Sequence, residues 1–229
     1  MFKRSIKRII KGLLWFTEKE KGMIPPSPVR ILWEKTAKES AEFIESNLDG
    51  AMLFSRKEDL WRFSLSQANE DGLMIECGVY KAASLNYFAK NNPKKKFYGF
   101  DSFKGLQENW AGHHKTVGAF NLGGDLPKVE SNVVLIGGWL KDTFKKFLEE
   151  KNTKISFLHI DTDTYSPAKL ILETAKPYLK KGSVIVFDEL YGYPGWRNGG
   201  EFKALNESFP DNSYDFIAFS NTQAAIRTA

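Results

Sequence analysis

Leu73-Met74-Ile75-Glu76-Cys77-Gly78-Val79-Tyr80-Lys81-Ala82-Ala83-Ser84 reads as an apolar strand, a tight turn at a glycine and the opening of a helix. In such a unit the backbone comes close to a ligand at the helix N-terminus. Downstream, apolar runs at residues 97–100, 133–136, 155–160 and 183–187 alternate with helical patterns near 82–91, 139–150 and 168–179. Near-continuous apolar strands separated by helices form a parallel sheet covered on both faces. A helix is expected over 202–209, and the apolar segments 214–219 and 223–227, joined by Ser220-Asn221-Thr222, predict a terminal antiparallel hairpin. Upstream, helical patterns cover 36–48 and 59–69. The expected fold class is α/β: a Rossmann-like doubly wound sheet, mostly parallel with an antiparallel C-terminal hairpin strand, plus N-terminal helices.

Composition agrees with a globular chain, since 42% of the 229 residues are hydrophobic and 27% charged. The single cysteine, Cys77, has no intrachain partner, and no CxxC or Cys/His array exists for a structural zinc, so a reducing compartment is expected. Net charge is +5, and Lys3, Arg4, Lys7, Arg8 and Lys11 account for all of it. A nucleic-acid-binding surface needs a broader positive footprint, so no nucleic-acid partner is expected. Phe2, Ile6, Ile9, Ile10, Leu13 and Leu14 recur at helical spacing opposite those basic residues, predicting a basic amphipathic helix over 1–17. It suits peripheral contact with an anionic membrane surface or a partner, and equally packing on its own domain or on a dimer mate. Three prolines in 22–28 predict a hinge. Residues 1–70 therefore read as an N-terminal helical extension and 71–229 as the functional domain. Neither a signal peptide nor a membrane span is read, and the expected location is cytoplasmic, with the inner membrane surface open to the basic helix.

In a doubly wound sheet ligands bind beyond the carboxyl ends of the strands. The residues there are Glu76 to Gly78, Asp101 with Ser102, Gly137 to Trp139, Asp161 with Asp163, and Asp188 with Glu189. The three-glycine dinucleotide fingerprint is absent, because Ala82, Ala83 and Ser84 stand where further glycines are wanted, which disfavours an NAD enzyme. Asp101, at the end of the second strand, is placed to accept hydrogen bonds from a ribose diol; its other reading is a cap for the segment after it.

Taken in order, Ile75-Glu76-Cys77-Gly78-Val79-Tyr80-Lys81, Tyr98-Gly99-Phe100-Asp101-Ser102-Phe103-Lys104-Gly105-Leu106, Gly138-Trp139 with Asp142-Thr143, His159-Ile160-Asp161-Thr162-Asp163-Thr164-Tyr165 and Phe187-Asp188-Glu189 resemble class I S-adenosylmethionine-dependent methyltransferases. The chain is most similar to the macrocin O-methyltransferase (TylF-type) group and its shorter bacterial relatives. That resemblance implies a seven-stranded sheet and S-adenosylmethionine as methyl donor. It places Glu76 and Gly78 along the methionine part, Asp101 on the ribose and Gly138 and Trp139 near the adenine, with Tyr80, Ser84 and Ser102 completing the cofactor set. Ser84 departs from its usual setting, since Ala82-Ala83 replace the glycine pair many relatives carry.

Methyl transfer is an in-line displacement, and a sugar hydroxyl must have its proton removed or polarised by a base or a cation. Asp161, Asp188 and Glu189 are the expected oxygen ligands for magnesium or another hard divalent cation, as the resemblance also implies. The lysine found three residues after the first acid in catechol-type relatives is replaced by Thr164, which leaves His113, His114 and Asp163 as candidate bases beside the catalytic Asp161. His159, mid-strand, reads as a core histidine. Residues 103–132 are long enough for a lid or a plain surface excursion. Tyr191-Gly192-Tyr193-Pro194-Gly195-Trp196 could be an acceptor platform or a packed loop, and Gly199-Gly200-Glu201-Phe202 reads as a chance match to the tetrapeptide of cyclic-dinucleotide synthases. The expected function is O-methylation of a glycosyl hydroxyl in a secondary metabolite or surface polysaccharide. The rivals are a small phenolic or amine acceptor methylated without metal, and a non-catalytic protein that kept the fold. The Asn/Asp-Pro-Pro-aromatic and Pro-Cys motifs that grip a flipped base are missing, which disfavours DNA methylation.

Overall fold

A computed structural model describes residues 27–69, 71–210 and 212–229. The expected helix over 1–17 and most of the expected hinge over 22–28 lie outside the described residues. Helix α1 spans Pro28–Ser46, so Pro28 opens a helix instead of closing a hinge; its fixed φ suits a first helical turn. A two-residue strand β1 (Met52–Leu53) and helix α2 (Lys57–Gln67) follow. Then come β2 (Leu73–Cys77), α3 (Ala83–Asn91), β3 (Phe97–Asp101), β4 (Val133–Gly137), α4 (Leu140–Lys151), β5 (Ile155–Ile160), α5 (Tyr165–Ala175), β6 (Leu179–Phe187), α6 (Gly200–Ser208), β7 (Tyr214–Phe219) and β8 (Ala224–Thr228).

The strand order is β1-β7-β8-β6-β5-β2-β3-β4, eight strands rather than seven because β1 adds to the edge beside β7. All neighbours pair in parallel except β8, which runs antiparallel to both β6 and β7. The helix expected over 168–179 ends early: Pro177 cannot continue it, a 3₁₀ turn covers Lys176–Tyr178, and Leu179 already pairs with Ile155.

Alternation along the strands splits the core into two layers. Ile75, Cys77, Leu158 and Ile160 pack with Phe144 and Leu148 of α4, Ile171 and Leu172 of α5 and Leu205 of α6. On the opposite side Met74 and Phe157 pack with Leu60 and Trp61 of α2 and with Leu85 and Phe88 of α3. Helix α1 reaches the first layer through Phe43, whose ring lies 5.2 Å from Trp196 and 5.4 Å from Phe202. No helix among the described residues is long and apolar enough to cross a membrane.

Candidate active site

The carboxyl ends of β2 to β6 open on one cleft of about 410 Å³. It lies where the order reverses direction between β2 and β5, the usual ligand position of an open α/β sheet. Of the cofactor residues expected from sequence, Gly78, Tyr80, Asp101, Ser102 and Trp139 line it, as do Asp161, Asp163, His113, Asp188 and Glu189. Glu76, Ser84, Gly138 and His114 are not part of the lining.

The turn after β2 is forced by close packing. Gly78 has φ +90°, and a Cβ there would overlap the carbonyl oxygen of Asp161. The β2 and β5 loops thus touch backbone to backbone, which only glycine permits. Tyr80 and Ala82 continue the turn with positive φ of 45° and 60°. Asp101 braces it: one carboxylate oxygen accepts the N–H groups of Val79 and Tyr80, both at 2.8 Å, and the other accepts that of Phe103 at 2.7 Å. Asp101 therefore caps the chain after β3, the second of its two sequence readings, and also lines the cleft.

Glu76 lies one layer behind the floor. It is wholly buried, and its two oxygens meet Ser84 Oγ at 3.2 Å and His159 Nδ1 at 3.0 Å. On the other side of the ring, His159 Nε2 stands 3.5 Å from Asp188 Oδ1, which also accepts a hydrogen bond from Gln223 Nε2. Burial opposes a charge on His159, but the carboxylates of Asp188 and Glu76 on either side of the ring push its pKa up to about 10, so it is a cation at neutral pH. The same contact, against burial, holds the Asp188 carboxyl below the ordinary carboxylate range. For Glu76 burial prevails and its pKa rises. His159 is a buried histidine, as read from sequence, and it anchors an acid of the cleft.

Carboxylate oxygens of Asp161, Asp163 and Glu189 lie within 4.8 Å of one another. The expected ligand set was Asp161, Asp188 and Glu189; in the structure Asp163 joins the cluster in place of Asp188, whose Oδ1 is turned toward His159 and Gln223. Burial and then the Asp188 charge raise the pKa values of Asp161 and Glu189 well above normal and push Asp163 to about 7, although Lys115 draws Asp163 down. Glu189 Oε2 is buried with no hydrogen-bond partner. Clustered hard oxygens, mutual repulsion and an unpartnered carboxylate oxygen fit a divalent cation.

Residues 103–132 form one wall of the cleft through Leu106, Trp110, His113, Lys115 and Phe120. Paired backbone hydrogen bonds between Leu106 and the segment 118–119 fasten this loop, and Asn86 ties it to α3. The His113 ring stacks on Trp110 at 4.1 Å, and burial lowers its pKa. Tyr191, Tyr193 and Trp196 are buried and absent from the lining, so this aromatic run is the packed loop and not a platform. Sequence reasoning missed three residues. Lys115 sits in the wall, Gln223 comes from the turn before β8, and Glu201 lies in the tetrapeptide read as a chance match.

A family model described as a methyltransferase domain matches residues 75–190, which hold every strand end around the cleft. The chain belongs to that family. Its enzyme class is accordingly that of the S-adenosylmethionine-dependent methyltransferases. Similar solved structures include the calicheamicin methyltransferase CalS11, 24% identical over 89% of this chain and 94% of that one, with a TM-score of 0.61. The O-methyltransferase NovP is 18% identical over 76% and 79%, TM-score 0.57. The mycinamycin-pathway methyltransferase MycE, in complex with Mg and SAH, is 15% identical over 75% and 48%, TM-score 0.50. At these identities the likeness concerns the fold. No curated protein matches the sequence.

Proposed function

We propose that this methyltransferase methylates a hydroxyl of a sugar or glycosyl group, assisted by a divalent cation of the magnesium type. The observation that carries the reading is the partly buried cluster of Asp161, Asp163 and Glu189 at the cleft. An aliphatic alcohol is too weak an acid to attack a sulfonium methyl unaided, whereas a phenol or a neutral amine needs less help. A cation held by Asp161 and Glu189 would supply positive charge to the acceptor oxygen as its proton leaves. The chain's own groups do the rest. Gly78 and Asp101 shape the donor's end of the cleft, and Trp139 flanks it. A carboxylate oxygen of Asp163, beside the cation's ligands, takes the hydroxyl proton. The wall of Trp110, His113 and Phe120 keeps water from the reacting centre. One of the similar structures is described as a TDP-rhamnose 3′-O-methyltransferase, which agrees with a sugar acceptor.

The test is methyl transfer from S-adenosylmethionine to a panel of nucleotide sugars and glycosides, with magnesium and with chelator. Turnover of sugar hydroxyls that stops on chelation supports the reading. Turnover confined to phenols or amines and indifferent to chelator overturns it.

A further inference from the structure

Glu201 is wholly buried at the start of α6 and does not line the cleft. Its Oε1 accepts the backbone N–H of Thr162 at 3.4 Å and its Oε2 accepts that of Glu189 at 3.2 Å. Thr162 is the residue between Asp161 and Asp163, and Glu189 is the third acid of the cluster. A single carboxylate therefore bridges the loop after β5 and the loop after β6, and through them all three clustered acids.

The place of Glu201 is itself fixed. Gly200, just before it, has φ +56°, and a Cβ there would run into the Tyr193 hydroxyl. The chain thus enters α6 through a turn that favours glycine, against a buried tyrosine. Behind it Ala204 and Leu205 seat the helix in the core. A fourth carboxylate beside three others adds repulsion, so an apolar residue of similar size would be the cheaper choice for packing alone. Accepting the two backbone N–H groups of Thr162 and Glu189 is what the carboxylate offers in return.

We propose that Glu201 is a positioning residue: it ties the β5 and β6 loops together at the spacing that brings Asp161 and Glu189 into reach of one cation, with Asp163 beside them. This role rests on the cation reading given above. Glutamine at 201 keeps the shape but has one acceptor oxygen, so its NH₂ faces a backbone N–H and one tether is lost. Aspartate keeps both acceptors on a shorter stem.

The experiment compares wild type with Glu201→Gln and Glu201→Asp in the full chain. It measures Mn²⁺ binding from the free-ion electron paramagnetic resonance signal, S-adenosylhomocysteine binding by calorimetry, thermal melting, and kcat and KM. Glu201→Gln is expected to bind Mn²⁺ at least tenfold more weakly and to lose kcat in similar proportion, with S-adenosylhomocysteine affinity within about twofold of wild type. Added Mn²⁺ should restore part of the rate, and Glu201→Asp should fall between the two. If wild type binds Mn²⁺ and both variants bind it equally well, the positioning role is refuted. A parallel loss of melting temperature and S-adenosylhomocysteine affinity would also refute it, in favour of a general structural role. If wild type binds no Mn²⁺, the cation reading fails first and this role with it. Should Glu201→Gln not fold, Glu201→Asp carries the same comparison.

Discussion

Replacing His159 by phenylalanine removes the buried cation between Glu76 and Asp188 while keeping an aromatic ring among Phe88 and Trp61, whose centroids lie 5.2 and 6.0 Å away. The cost follows from the shift in proton affinity. The histidine pKa is raised from 6.5 to about 10 on folding, and each pH unit is worth about 1.4 kcal/mol, so its contribution has a ceiling of about 5 kcal/mol. Because the folded value is the higher one, this contribution is complete below pH 6.5 and is lost as pH rises toward 10. At pH 7.5 roughly 3 kcal/mol remains, at the lower edge of the ~3–5 kcal/mol expected for breaking a buried ion pair. Urea unfolding of wild type and His159→Phe at pH 7.5 and at pH 9.5 measures this directly, and taking the difference between the two proteins removes titrations they share. The variant should be about 3 kcal/mol less stable at pH 7.5, with the gap shrinking to below about 1 kcal/mol at pH 9.5. A difference under 1 kcal/mol at pH 7.5, or one that does not change with pH, would refute the assignment of His159 as a cation.

Gly78→Ala places a methyl group where the Asp161 carbonyl stands, in a backbone conformation unfavourable for alanine. A stability loss of about 2–4 kcal/mol and at least tenfold weaker S-adenosylhomocysteine binding are expected, the first read from urea midpoints and the second by calorimetry. Asp163→Asn removes the proposed proton acceptor, so kcat should fall by about 10²–10⁴ with S-adenosylhomocysteine affinity retained; a kcat within threefold of wild type would move the role to His113. Removing residues 1–16 tests the basic segment: weaker retention on anionic vesicles or a smaller oligomer is expected, and no change in either removes that contact.

Most of the fold could be read from sequence because every residue of β2 and of β5 is buried, which leaves mostly apolar runs, and because glycines and acids mark the strand ends. The two exposed residues of β1 leave no such trace. Other features depend on contacts that no local pattern records. Asp188 is turned by Gln223, which stands 35 positions further on, and Tyr191 and Trp196 are buried under Phe43 from α1. Glu201 takes its role from two loops that are remote in sequence. The placement of Glu76 is a different case, since its signal was present in the strand itself. Side chains alternate across a sheet, so Glu76 shares a side with Met74, and that side is the one α2 and α3 cover. His159 pairs with Glu76 in the parallel register and falls on the same side two residues after Phe157. An acid and a histidine at matched positions on a covered face are expected to pair with each other. Strand position locates the rim, and side-chain parity decides which rim residues can reach a ligand. By that rule Glu76 and His159 support the cleft from behind, while Asp161, Asp163 and Glu189, beyond the last paired residues of β5 and β6, are free to turn into it.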